Sequence, residues 1–339
     1  MGNKQTHIND FSKINIPDDY TIIKLISYDV NLYNSIAMRE NVYEIIKYIF
    51  GSDDKKNADI ICLQNIQDKY ALYDLVKSIK KTTINKNLSI YLCPAFNDIS
   101  VDTKEIDNSF DIIWSNSKPV SHDYEYNVNN IIISRFPIIS YSVTKLSEDN
   151  RTIIAANINI KNKIVSVYNT YLSNDLINTH IDNKTLRNHE IDKLESVINQ
   201  NKHLISTSVK YVYYRKSDIH LIVGNLNIKE TSFKTLTDEY IDIVKDKHYI
   251  DVYRLQNPDI IGNTNIFNTR TSYIICKLLD KYCEKQSKYY KMLKKIKEPN
   301  DILKILFKEH QLYFIQTFVN YAIDYRNYYP IECIFMLKI

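Results

Sequence analysis

Short apolar runs alternating with amphipathic stretches set the rhythm of the chain. Residues 21–28 are apolar-rich and read as a strand that runs on into Asp29, Val30 and Asn31. Residues 39–50 place Val42, Ile45, Ile46 and Ile49 at helical spacing, and Gly51 follows as a stop. Residues 58–65 give a second buried strand, and 70–80 return as a helix. This β-α-β-α opening predicts an α/β layered domain. Further strands are expected at 89–93, 112–114, 130–134, 152–160 and 164–169. A helix over 187–198 presents Ile191, Leu194, Val197 and Ile198 on one face. The apolar run 221–223 reads as a buried strand ending in Gly224. Asn225 and Asn227 follow, two amides one residue apart and so expected on the same side of an extended segment. A helix near 233–240 comes next, and no period of about 20–50 residues repeats.

Composition narrows the class. A chain of 339 residues buries a large core, as one domain or two, and 44% hydrophobic with 25% charged residues describes a soluble globular protein. Only 4 glycines accompany 28 tyrosines, and Asn, Ile, Lys and Tyr, all with AT-rich codons, are abundant. That is a genome signature of the kind seen in giant viruses, some protists and AT-rich bacteria. It lowers the weight of Lys-rich and Asn-rich stretches. The 5 cysteines are scattered without a CxxC pair, which argues against a zinc site or a disulfide framework and fits a reducing compartment. No apolar run reaches ~18 residues and no secretory leader is present, so an intracellular location, host cytoplasm or virion, is expected.

Two stretches raise the question of partners. Residues 1–18 read as a tail ahead of a single domain over 19–339. Its first residues, with Gly2 exposed once Met1 is removed and a hydroxyl at Thr6, fit an N-myristoylation signal. A tail that matches by chance is the other reading. One myristoyl chain alone gives only marginal membrane binding. Between Lys277 and Lys308 ten lysines face four acids, a surplus of six charges within a net charge of +4. A nucleic-acid or anionic-lipid surface is one reading. The favoured one is a solvated, Lys-rich helical insertion over about 277–322, because 277–308 holds no arginine for bidentate phosphate recognition.

Seven segments in order resemble motifs of the endonuclease/exonuclease/phosphatase (DNase I-like) superfamily. They are ISYDV at 26–30, DIICLQN at 59–65, NIIISRFPI at 130–138, VYNTYL at 167–172, VGNLN at 223–227, RTSYI at 270–274 and RNYYPIE at 326–332. The third to seventh are similar to the family's SRFP, NTHL, GDFN, RIDYI and SDHYP. The resemblance implies a four-layer α/β (α+β) sandwich, two mixed β-sheets packed face to face with helices outside. It also implies Mg²⁺-dependent phosphodiester chemistry, in which carboxylates hold the cation and an Asp–His pair prepares water.

The departures from the family pattern concentrate on its chemistry. Asp29 stands where the family has Asn, and Asn65 replaces its metal-binding Glu. Tyr171 replaces a phosphate-contacting His, Asn225 the Asp of GDFN and Ser272 the Asp of RIDYI. Arg326, Asn327 and Tyr328 replace the terminal Ser-Asp-His, while Asn169 and Asn227 are kept. These are degenerate site positions, with no catalytic residue expected intact and no metal or cofactor expected. A paired charge swap suggests that Arg326 bonds Asp29 across the old site. Histidines elsewhere do not substitute: His220 begins its strand and should face away from the rim. The expected function is that of a catalytically inactive protein working through binding, to a protein partner the sequence does not name, or as a structural component. One alternative is a divergent but active Mg²⁺-dependent phosphodiesterase of the nuclease or sphingomyelinase kind. The other is a nucleic-acid-binding module using 277–308.

Overall fold

The computed structural model describes residues 18–32, 58–66, 75, 78–79, 91–94, 129–146, 151–174, 183–204, 219–230, 237–242, 249–257, 260, 262–265, 267, 269–278, 312–321 and 328–339. The strands among them are β1 (Tyr20–Leu32), β2 (Ile60–Ile66), β3 (Tyr91–Pro94), β4 (Asn129–Ser134), β5 (Ile138–Lys145) and β6 (Thr152–Ile160), then β7 (Lys163–Tyr171), β8 (Ile219–Glu230), β9 (Tyr249–Asp251), β10 (Arg270–Leu278), β11 (Leu312–Val319) and β12 (Ile331–Lys338). Three helices are described, α1 (Asn183–Leu204), α2 (Asp238–Ile241) and α3 (Val252–Gln256).

The strands form two six-stranded mixed sheets, ordered β11-β12-β1-β2-β4-β3 and β5-β6-β7-β8-β10-β9. Each sheet has one parallel joint near its centre, β1 with β2 and β7 with β8, and its other pairs are antiparallel. A parallel pair needs a crossover, and α1 supplies it between β7 and β8. Its apolar stripe of Ile191, Leu194, Val197 and Ile198 packs on Ile153 and Tyr168 of the second sheet. Between the sheets lies the main core, with residues such as Ile23, Leu25 and Cys62 packed with Val167, Leu221 and Val223. Because both faces of the inner strands are covered, β2 is buried at every position, whereas the edge strand β5 is buried only at Ile138 and half-buried or exposed beyond it.

The parallel joints decide where the motifs meet. Parallel neighbours end on the same side, so the carboxyl ends of β1 and β2 lie together, as do those of β7 and β8. β10 and β12 run antiparallel to β8 and β1, so their starts lie at that same end. The segments that carry the expected site positions therefore converge on one end of the sandwich.

Several sequence expectations need adjustment. The range expected as a helical insertion, about 277–322, is strand at both ends: Lys277 and Leu278 finish β10, and Leu312–Val319 is β11. Leu312, Phe314, Thr317 and Val319 are buried, so this stretch completes the first sheet and is not a solvated helix. Residues 279–311 lie outside the described residues, as do the helix expected at 39–50 and the strand at 112–114. Of the helix expected over 70–80, Leu75, Ser78 and Ile79 are described and helical. α1 runs four residues further at its start and six at its end than the apolar spacing indicated. No helix among the described residues is long and apolar enough to cross a membrane. Of the cysteines, Cys62, Cys276 and Cys333 are free and buried, and burial pushes their thiols up.

Candidate functional site

β1 leaves its regular register after Asp29, where the β1–β2 ladder shifts between Asp29 and Leu32. Asn31, Asn65 and Asn227 all adopt positive φ, at 45°, 64° and 53°. Asparagine tolerates this left-handed region better than other side-chain-bearing residues. Asn31 and Asn65 stand near the ends of β1 and β2 and Asn227 within β8, so the backbone bends at all three where the sheets meet. Gly224 has φ 147°, and a Cβ there would lie 1.9 Å from the Thr170 carbonyl oxygen of β7. Only glycine allows β8 to pass this close to its parallel neighbour.

At the centre sits Asp29, 1% exposed. Its Oδ1 accepts from Asn65 Nδ2 at 3.1 Å and from the Asn31 backbone N–H at 3.1 Å. Its Oδ2 accepts from Asn225 Nδ2 at 2.6 Å, which bridges from the second sheet to the first. Asn65 Nδ2 also donates to Asn31 Oδ1 at 3.0 Å, and Asn225 Oδ1 accepts from the Asn227 backbone N–H at 2.9 Å. These bonds fix both amide orientations, because turning either amide over would break two of them. Burial pushes the Asp29 carboxyl up to about 6, and the three donors pull in the opposite direction.

The remaining positions surround this cluster. Tyr171 lies beside Asn225 in register and is 4% exposed. Its hydroxyl accepts from Asn174 Nδ2 at 3.3 Å, and the Arg151 guanidinium lies 5.8 Å from its ring centre. Burial, then the nearby Asp29 and Tyr328, push its phenol far above the ordinary value, against Arg151 and an Asn227 hydrogen bond. Ser272 pairs with Asn225 from β10, and its backbone N–H donates to Thr264 Oγ1 at 3.1 Å. Tyr328 forms an isolated bridge with Asn265, placing the start of β12 against the loop before β10.

Asn169 and Asn227 have specific work. Asn169 Nδ2 donates to the carbonyls of Leu63 and Ile131, both at 3.0 Å, and its Oδ1 accepts from Gln64 Nε2 at 2.8 Å. It is wholly buried and spends its amide bracing one sheet on the other. Asn227 Nδ2 donates to the Leu172 carbonyl at 2.6 Å. Asn225 and Asn227 thus serve different partners, since the turn of the chain at Asn227 breaks the simple alternation expected of an extended pair. His220 stands at the far end of β8 from Asn225, buried, with Nδ1 bonded to the Tyr168 hydroxyl at 2.9 Å. Arg326 and Asn327 lie outside the described residues, as does Gly2, so the expected Arg326–Asp29 pair has no described geometry.

Two contributors escaped the sequence reading. Asn31 supplies both a donor and an acceptor to the cluster, and its signal was its place two residues after a buried acid. Arg151 lies against Tyr171 and forms an ion pair with Glu190 at 3.7 Å. Nothing in its local sequence distinguishes it.

A magnesium ion needs several oxygen ligands with net negative charge among them. The described floor offers one carboxylate, and its neighbours aim N–H groups at it. Among the described residues no three His, Cys, Asp or Glu side chains converge in a metal-sized group. The described residues of this floor do not make up the oxygen-rich, acidic ligand set that Mg²⁺ takes.

No protein-family model matches the sequence, and no curated protein matches it. Solved structures do match in fold. An endonuclease/exonuclease/phosphatase family protein from Leptotrichia buccalis superposes with a TM-score of 0.54 at 14% identity, covering 92% of this chain and 98% of that one. A beta toxin from Staphylococcus aureus, solved with bound magnesium ions, gives 0.53 at 17% identity over 92% of this chain and 99% of its own. TDP2 from Caenorhabditis elegans gives 0.52 at 11% identity over 93% and 74%. The chain has the DNase I-like fold of the endonuclease/exonuclease/phosphatase superfamily.

Proposed function

We propose that this chain is a catalytically inactive protein on a phosphodiesterase fold, acting by binding or as a structural component. One observation carries the reading. Asp29 is the only carboxylate among the described site positions, it is closed off from solvent, and both its oxygens already accept hydrogen bonds. Hydrolysis on this fold asks for a cation and a base that activates water. The Tyr171 phenol, pushed far above its ordinary value, does not serve as a base near neutral pH. A membrane tether through Gly2 and a protein partner belong to the same proposal, while nucleic-acid contact through the lysines of 277–308 is the less favoured route.

The test is hydrolysis by the purified full-length protein of DNA, RNA, sphingomyelin and bis-p-nitrophenyl phosphate, with Mg²⁺ or Mn²⁺ present. The expected result is no turnover above buffer. Cation-dependent turnover abolished by Asp29→Asn would overturn the proposal and favour a divergent active phosphodiesterase.

A further inference from the structure

We infer that the Asp29 cluster is a metal-independent clasp between the two sheets, whose donor and acceptor polarity turns divalent cations away. The inference rests on the reading above, but it concerns cation chemistry and not turnover. Asp29 belongs to β1 of the first sheet and Asn225 to β8 of the second, so their 2.6 Å bond crosses the interface. Asn65 and the Asn31 N–H hold the other oxygen from the first sheet. The arrangement is one acid among amides. In a cation site the balance is reversed, with acids gathered around a positive centre.

The polarity is set by the network itself. A cation approaching Asp29 Oδ2 must displace the Asn225 NH₂ group. The Asn225 Oδ1 that could replace it as a ligand already accepts from the Asn227 N–H. Asn65 likewise shares its NH₂ between Asp29 and Asn31. Among the described residues the cluster therefore satisfies its buried polar groups with a single negative charge and neutral donors around it.

The polarity also predicts what one atom exchange does. Asn225→Asp keeps the shape of the side chain and replaces the donor 2.6 Å from Asp29 with a second acid. Two carboxylates at that separation do not both ionise without a cation between them. The variant should melt below wild type in EDTA, increasingly so as pH rises to about 8, and Mn²⁺ should restore much of the loss.

Thermal denaturation of the full-length protein in EDTA, Mg²⁺ and Mn²⁺ tests this, with Asn225→Asp beside wild type. The expected result is a wild-type melting temperature that is the same in all three, and an Asn225→Asp melting temperature that rises with Mn²⁺. If Asn225→Asp does not fold, Asn65→Asp carries the same comparison, and the wild-type arm stands by itself. A wild-type melting temperature raised by Mn²⁺ and lowered again by EDTA overturns the inference. So does an acid variant that melts like wild type in EDTA or ignores Mn²⁺. The two readings fail separately: a wild-type cation response without hydrolysis sinks only the clasp, and hydrolysis refutes inactivity whatever the melting curves show.

Discussion

Asp29 and Asp251 show how one residue type, equally buried, takes opposite signs from its neighbours. Asp29 has only neutral donors among its described hydrogen-bond partners, and burial pushes it up to about 6 from 3.8. Burial also acts against ionised Asp251, but Arg270 outweighs it. The guanidinium bonds both carboxylate oxygens and lies among Tyr240, Tyr253 and Tyr273, and the carboxyl is held below its ordinary value. For Asp29, folded and unfolded chains are both protonated well below 3.8. As pH rises toward 6 the unfolded chain ionises more readily, and stability falls. The shift corresponds to about 3 kcal/mol. Asp29→Asn should flatten this fall between about pH 4 and 6, measured by urea denaturation at a series of pH values. Asp251 does the reverse: its stabilisation is present above the unfolded value and is lost as pH falls through the lower folded one. Arg270→Met should cost about 3–5 kcal/mol at neutral pH, because it leaves a buried charge without its partner. That amides stand where the family resemblance expects acids was legible in the sequence. That these amides would turn their donors onto Asp29 was not, because Asp29 and Asn225 are 196 residues apart and meet only through the packing of the sheets.

At the scale of elements, the apolar runs were good guides where a strand is covered on both faces. β1, β2, β4, β6, β7 and the start of β8 are such strands, and all were visible as runs of Ile, Val and Leu. β5 was missed because it is an edge strand whose alternation, Ile-Ser-Tyr-Ser-Val-Thr-Lys after Ile138, is diluted with polar residues on its open side. β11 was missed because the lysines before it suggested a solvated helix, although its buried positions, Leu312, Phe314, Thr317 and Val319, belong to a sheet edge. Gly224 was read as the end of a strand, whereas β8 continues to Glu230. The glycine is required there by contact with the neighbouring strand. A methyl group would meet the Thr170 carbonyl at 1.9 Å, and the φ of 147° is one that other residues rarely adopt. Gly224→Ala should therefore destabilise by roughly 3 kcal/mol or more, combining steric overlap with backbone strain. Denaturant midpoints of wild type and variant check this. A loss under about 0.5 kcal/mol, ordinary for a surface change, would mean that β8 stands further from β7.

On the scale of the molecule, two large sheets packed through aliphatic side chains have little in the apolar contact itself to fix their relative placement. Shape alone leaves neighbouring registers close in energy, whereas hydrogen bonds in a low-dielectric interface are directional and costly to leave unmade. Among the described residues the polar crossings include Asp29 with Asn225 at the rim, Asn169 with Gln64 deeper in, and the Asn130 amide on the Thr152 carbonyl at 2.8 Å. Asn169 bonds the carbonyls of Leu63 in β2 and Ile131 in β4, two residues that pair across their own ladder, so a side chain of one sheet pins adjacent strands of the other. Gln64 is less dependent on it, since its amide also donates to the Cys62 carbonyl at 2.9 Å and the Ser27 hydroxyl at 3.3 Å. The two truncations should thus be unequal. Asn169→Ala should cost about 2–4 kcal/mol, the value of several buried hydrogen bonds with their acceptors left dry, and Gln64→Ala less. The double variant should fall short of their sum by about 1 kcal/mol, because each single change already breaks the bond they share. Urea unfolding of the four proteins closes the cycle. Full additivity would mean that Asn169 and Gln64 do not share that bond, and would leave Asn169 without this bracing role between the sheets.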